Sequence, residues 1–468
     1  MNGDRLPDLL FSESFIDENQ AFDNNVYWAR NLAEAGFSTP ITIDEYTEQF
    51  GVEFQLVDFD QDQDLDIFYG FLMAESVATW LENDGFGSFT KQTQIINFNV
   101  STPYYVDLHF THINSDTHLD IAMSVSSLRW LPGDATQQYN EVRKVEFPFG
   151  VIPAITVDYD DDNDLDVIEY YPQNEPHSIF LSRNNGDGSF SSAVPIAETD
   201  QQLKQVEITD LDGDGFKDIL VNPEGLRSDF IVYYGKPDGS YDPPSVLQAN
   251  VGSTFFQVSD IDQNGTPDII YGHAVETDIM ELEILVNQGA KNYTRQNLTT
   301  LTVLQPAEQV AIGDYDGDGR LDIIFEAITG TGKKLFLLKQ ESALVFTEID
   351  MNVAGLQGFL SQGVQGIDLN QNGKTTFLSR NYSSENNTTT ISIIPNEIGQ
   401  PLVPIVEYSG SALYLPVDYN QDQKVDILYL GGEDVNAVDL RLWSSSLNSY
   451  QEIIVQEELP YNTLRMMM

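Results

Sequence analysis

The sequence predicts an all-β protein, a β-propeller of four-stranded blades, and three observations carry that expectation. A nine-residue acidic loop recurs along the chain at a nearly constant interval, short β-prone segments flank each copy, and a Gly-rich turn follows at a similar distance. Four short strands in roughly 50 residues is the length of one propeller blade.

Repetition is the first signal. The loops begin at Asp58, His112, Asp158, Asp210, Asp260, Asp314, Asp368 and Asp418, so seven intervals cover 360 residues and the period is about 51. A ninth copy opens the chain, with Asn2, Asp4 and Asp8 at positions 3, 5 and 9 and position 1 falling before Met1. Residues 1–52 are therefore expected to form a partial N-terminal unit and residues 53–468 the full repeats. That gives about eight full blades plus the partial unit, within a range of seven to nine.

Each unit divides in the same way. A short strand precedes the loop, as in Phe54-Gln55-Leu56-Val57, and an apolar one follows position 9, as in Ile67-Phe68, Ile219-Leu220 and Ile323-Ile324. The loop is thus a strand-to-strand turn. An EF-hand would need flanking helices and a Glu at position 12, and the sequence has neither. A third strand then leads to a turn and an aromatic that opens the fourth, as in Asn83-Asp84-Gly85-Phe86-Gly87-Ser88-Phe89 and Asn184-Asn185-Gly186-Asp187-Gly188-Ser189-Phe190. The glycines supply the positive φ such hairpin turns require. Trp28, Trp80, Trp130 and Trp443 all fall on the third strand of their units. Packing of blade on blade explains that recurrence better than a sugar-binding platform.

Composition narrows the function. The 74 acids outnumber 22 bases and leave a formal charge of −52, which argues against nucleic acid, whose binding needs a basic surface. No apolar run approaches the roughly 18 residues of a membrane span, and no signal-peptide pattern opens the chain. The absence of cysteine excludes disulfides and thiolate metal sites, and leaves the compartment open.

Thirty aspartates lie inside the loops. Oxygen donors at alternate positions of a curled backbone suit a hard cation such as Ca²⁺, which takes six to eight oxygens at about 2.3–2.6 Å. Six loops carry Asp or Asn at positions 1, 3, 5 and 9. Their candidate ligands are Asp58, Asp60, Asp62, Asp64 and Asp66; Asp158, Asp160, Asp162, Asp164 and Asp166; Asp210, Asp212, Asp214, Phe216 and Asp218; Asp260, Asp262, Asn264, Thr266 and Asp268; Asp314, Asp316, Asp318, Arg320 and Asp322; and Asp418, Asn420, Asp422, Lys424 and Asp426. Position 7 varies from Asp to Phe, Thr, Arg and Lys, which fits a ligand supplied by the backbone carbonyl. Asx-turns are the competing explanation. Against it, two carboxylates about 4 Å apart repel by ~1 kcal/mol even in water, and four make six such pairs. About six Ca²⁺ sites are expected. The loop at His112 reads as a decayed copy, with a zinc site built from His109, His112 and His118 as the alternative. In the loop from Asp368, Thr376 replaces the acid at position 9.

These units resemble the FG-GAP and VCBS-type repeats of integrin-α-like β-propellers, and the resemblance covers nearly the whole chain. It implies one Ca²⁺ per complete loop, held between the first two strands of each blade. It also implies a secreted or cell-surface binding module for adhesion, with an extracellular protein or glycan as partner. A polysaccharide-acting enzyme is the alternative, because some rhamnogalacturonan lyases resemble this architecture. No cluster suited to catalysis stands out among the scarce and scattered Lys, Arg and His, so no catalytic residue is assigned.

Overall fold

The computed structural model describes residues 1–16, 22–33, 37–46, 53–70, 77–92, 96–97, 107–114, 116, 118–124, 128–133, 143–145, 154–159, 162, 164–170, 177–199, 203–223, 228–237, 239–249, 251–351, 360–368, 373–383, 388–394, 402–409, 414–418, 421, 426–434, 437–444, 451–460 and 465–467. Among these residues the strands form nine successive antiparallel sheets of four strands, one carrying an extra short strand, Ile96–Asn97. This is the blade pattern of a β-propeller. The chain divides into two compact units: Met1–Glu169 with Phe180–Val194 and Ala412–Met468, and Tyr170–Ile179 with Pro195–Ser411.

In the first unit, the opening repeat supplies three strands of its own, and the fourth comes from far along the chain. Leu9–Ile16, Phe22–Ala29 and Ile41–Tyr46 are joined by Arg465–Met467, which pairs antiparallel with the first of them. The register sets Leu10 against Met467 and Phe11 against Met466. The strand missing from the first repeat thus comes from about 455 residues further along the chain, where no repeat signal marks it.

Trp28, Trp80 and Trp130 are buried on the third strands of their sheets. Trp80 packs edge-on to Phe59, and Phe59 meets Phe110 of the next sheet. Trp28 packs on Phe89 and lies so close to Gly87, where φ is +85°, that a Cβ there would come within 2.3 Å of the indole. Packing is therefore their role.

The second unit shows how alternation along a strand joins neighbouring sheets. On Asp268–Glu276, Ile269 and Tyr271 pack with Leu220, Phe230 and Val232 of the preceding sheet. Ile270 turns the other way, to a cluster with Ile323, Phe325 and Phe336 of the following one. The buried stretch Ile269–Tyr271 is thus apolar on both faces, as a strand covered on both sides must be.

A polar clamp repeats at the loop end of the blades. The aspartate at position 9 is the first residue of the second strand and pairs with the last residue of the first, as Asp268 with Ser259 and Asp322 with Gly313. One carboxylate oxygen accepts the N–H of position 2: Ile261 to Asp268 at 3.0 Å, Leu211 to Asp218 at 2.8 Å, Tyr315 to Asp322 at 2.9 Å. The other accepts an N–H from the end of the third strand: Asn287 to Asp268 and Asn184 to Asp166, both at 2.8 Å, and Gln340 to Asp322 at 2.7 Å.

The amide at that last position then reaches outward. Asn287 Nδ2 donates to the Pro267 carbonyl of its own loop at 3.1 Å and to the Leu211 carbonyl, position 2 of the preceding loop, at 2.6 Å. Asn83, Asn184 and Gln340 make the same pair of contacts. Position 2 is itself a buried apolar plug, as with Phe59, Ile113, Tyr159, Leu211, Ile261 and Tyr315.

Asn287 is fully buried, so Asn287→Leu strips the amide donor from two buried carbonyls. The expected loss is about 2–4 kcal/mol of stability, to be measured by chemical denaturation. A change below about 0.5 kcal/mol would contradict the clamp.

Candidate metal centre

The loops curl because their aspartates cap their own backbone. In the loop from Asp314, Oδ1 accepts the Gly317 N–H at 2.7 Å and Oδ2 the Gly319 N–H at 2.8 Å. Asp318 N–H bonds Asp316 Oδ1, and Arg320 N–H bonds Asp318 Oδ1 at 2.9 Å. The loops from Asp210 and Asp260 repeat this scheme. Positions 4 and 6 need positive φ where the curl is tightest. Glycine supplies it at Gly213, Gly215, Gly317 and Gly319, whereas Gln61 and Gln63 are held at +62° and +80° in the loop from Asp58. A left-handed conformation costs a non-glycine residue about 1–2 kcal/mol.

Asx-turns and cation geometry therefore coexist, because each carboxylate has two oxygens and spare lone pairs. Carboxylate oxygens of Asp210, Asp212 and Asp218 lie within 4.8 Å of one another, as do those of Asp260, Asp262 and Asp268 and those of Asp314, Asp316 and Asp322. In the loop from Asp58 the converging group is Asp58, Asp60 and Asp62. These groups could hold a metal ion. Three of the four groups consist of positions 1, 3 and 9, which the fold brings together although the first and last stand eight positions apart.

The remaining predicted residues are placed less centrally. Asn264 turns its amide onto Asp262 Oδ2 and the Asn287 carbonyl. Asp214 and Asp318 cap position 7, where Phe216 and Arg320 donate their N–H groups, and Thr266 does the same to Asn264. Asp162 donates its N–H to Asp158, and Asp164 donates to Asp162. Asp160, Asn420, Asp422 and Lys424 lie outside the described residues, while Asp166 and Asp426 are buried at the start of their strands. In the copy at His112, the ring Nδ1 meets the His118 carbonyl at 2.9 Å. Asp120 still accepts the Ile113 and Gly133 N–H groups there, so the clamp survives where position 1 has changed.

Two lysines that the sequence reading passed over enter these sites. Lys339 Nζ is 2.8 Å from Asp316 Oδ2, and Lys291 Nζ is 3.4 Å from Asp212 Oδ2. Lys339 lies on the third strand of the same sheet, and Lys291 in the turn between the third and fourth strands of the following sheet, so spacing within the loop gives no sign of either.

Burial and mutual repulsion dominate the electrostatics. Burial first, then repulsion from Asp60, pushes Asp66 up to about 7. Burial, reinforced by the acids at positions 1 and 3, raises Asp218 and Asp268 to about 6 against the pull of their N–H donors. Asp322 rises to about 6 in the same way, with Asp316 and Asp318 as the repelling neighbours. Asp64 also reaches about 6, through burial and then Asp62 and Asp60. Asp316 runs the other way: burial raises it, but the Lys339 ammonium more than offsets this.

The chain carries FG-GAP-like repeats, matched at residues 158–221 and 260–325, and its architecture is that of a β-propeller. No curated protein matches it in sequence. Among solved structures it is similar to the exotype rhamnogalacturonan lyase YesX, with a TM-score of 0.48 and 12% identity over 95% of this chain and 86% of that one. It is similar to the V. cholerae biofilm matrix protein Bap1, with a TM-score of 0.37 and 11% identity over 97% of this chain and 90% of that one. The Dos1 propeller gives a TM-score of 0.38 and 10% identity over 74% of this chain and 83% of that one.

The raised carboxyls fix a pH dependence. Their folded values lie above the ordinary carboxylate value of about 3.9, so the cation-free fold binds protons that the unfolded chain has released. That contribution is fullest below pH ~4 and is lost as the pH rises through about 6 to 7. A cation must expel those protons. Adding Ca²⁺ to the cation-free protein at pH 6 is expected to release protons, seen in calorimetry as a heat that changes with the buffer's ionisation enthalpy. The effect should fade at pH 8; equal heats in both buffers at pH 6 would contradict the assignment.

Proposed function

We propose that the chain is a calcium-stabilised β-propeller binding module that works outside the cell, in adhesion or in recognition of a protein or glycan. The observation that carries this reading is the convergence of positions 1, 3 and 9 in three consecutive blades, at Asp210, Asp260 and Asp314. Each site offers oxygen donors alone, the choice of a hard cation, with neither imidazole nor thiolate to favour a softer one. The acids at these points repel one another when empty, and a divalent ion reverses that sign.

The same chemistry supports the extracellular placement. Exposed loop sites with dissociation constants of about 10⁻⁴ M are filled where Ca²⁺ is millimolar, and each then adds roughly 1.4 kcal/mol. Six sites would contribute on the scale of the ~5–15 kcal/mol that holds a typical domain. Calcium is structural in this reading. It fixes blade corners, and the partner is recognised by surfaces those corners hold in place. The adhesive role itself draws on the resemblance to integrin-α-like repeats, and the nature of the partner is decided by experiment.

Chelation with EDTA is expected to lower the thermal midpoint by on the order of 10 °C, and Asp314→Asn to remove one bound Ca²⁺ by elemental analysis. A midpoint indifferent to EDTA would sink the proposal. Glycan-array binding without release of unsaturated sugar ends from pectic polysaccharide is the expected pattern, and accumulation of such ends would mark a lyase instead.

A further inference from the structure

A polar cluster outside the Asp loops lies in the sheet built from Ser253–Ser259, Asp268–Glu276, Ile279–Asn287 and Tyr293–Thr302. His273 lies opposite Glu281 and Tyr271 opposite Glu283 across the two central strands, so all four side chains share one face. His273 Nε2 is 3.2 Å from Glu283 Oε2 and 3.5 Å from Glu281 Oε2. His273 is 7% exposed, yet its Nε2 forms no well-made hydrogen bond among the described residues. Ser253, the partner of His273 on the neighbouring strand, is also buried with its Oγ unengaged.

We propose that His273, Glu281 and Glu283 bind a transition-metal cation of the Zn²⁺ class, at a site chemically distinct from the Asp loops. Ligands held tetrahedrally at the usual Zn–N and Zn–O lengths of about 2.0–2.2 Å stand roughly 3.3–3.5 Å apart. The two nitrogen-to-oxygen separations match that spacing, and the three donor atoms all lie within 4.8 Å of one another. An imidazole donor favours zinc, cobalt or nickel over calcium.

The surroundings hold the ligands in place. Tyr271 Oη donates to Glu283 Oε2 at 2.6 Å, and Arg295 Nη2 is 2.7 Å from Glu283 Oε1, with Nε at 2.9 Å from both oxygens. Such outer contacts orient a metal-bound carboxylate. Two carboxylates against one guanidinium leave a net negative charge on these side chains, which draws a cation to the site. Glu281 and Arg295 are partly exposed, at 23% and 44% of their side chains, so an ion can reach the site and keep a water as fourth ligand.

The test uses the full chain saturated with millimolar Ca²⁺, titrated with ZnCl₂ and separated from free metal, with both metals counted by elemental analysis. One zinc per chain is expected to be retained. His273→Ala and Glu281→Gln should each weaken zinc binding by about tenfold or more while the calcium count stays unchanged. Glu281→Gln alters a partly exposed group without changing its size, and so guards against a variant that fails to fold. With Co²⁺ in place of Zn²⁺, a visible absorption band lost in His273→Ala would report imidazole coordination. No retained zinc, zinc unaffected by both substitutions, or zinc lost instead in His112→Asn would overturn the proposal. Because calcium is counted separately, this outcome and that of the calcium reading are independent.

Discussion

The buried aspartate at position 9 is the contact on which each blade depends. Its two oxygens take N–H groups from the start of its own loop and from the end of the third strand. One side chain thus joins the first turn, the second strand and the third. Burying a carboxylate without partners would cost several kcal/mol, and hydrogen bonds to the charged form recover much of that. The Asn or Gln that donates back extends the contact to the preceding loop, so the clamps link one blade to the next.

The clamp also explains why the loops gather negative charge at one point. Position 9 is fixed by backbone hydrogen bonds whether or not an ion is present, and positions 1 and 3 are fixed by the N–H groups they cap. The curl needed to satisfy the backbone brings the carboxylates together. Lys339 and Lys291 relieve part of the repulsion in two loops. In those loops as in the others, burial and repulsion still lift the carboxyl at position 9 towards neutral pH, which leaves proton binding or cation binding as the ways to relieve the site.

The His273 cluster follows a different logic. Its donors come from the middle of two paired strands, and it lies on a face otherwise filled by Tyr271, Leu285 and the apolar side chains of the neighbouring sheet. Polar groups in that position are costly unless they are fully engaged. Glu283 is engaged by Tyr271 and Arg295, whereas His273 Nε2 lies near both glutamates without a well-formed hydrogen bond to either.

The sequence by itself determined the repeat, the four-strand unit, the acidic loops and their place between the first two strands. All of these are local: a spacing of two residues within a loop, a period near 51 along the chain, and turn glycines that need positive φ. It also placed the tryptophans on third strands, and their packing role followed from that recurrence. The regular Asn at the end of the third strand and the apolar residue at position 2 were visible as letters but not as partners, because the clamp joins residues about 20 and 70–80 positions apart. Only the tertiary structure decided that the first repeat is completed by Arg465–Met467, since strand pairing across the whole chain leaves no mark in a short strand's composition. The same holds for the lysines at the loops and for His273 with Glu281 and Glu283. Cross-strand register sets those contacts, and register is fixed by how whole sheets pack.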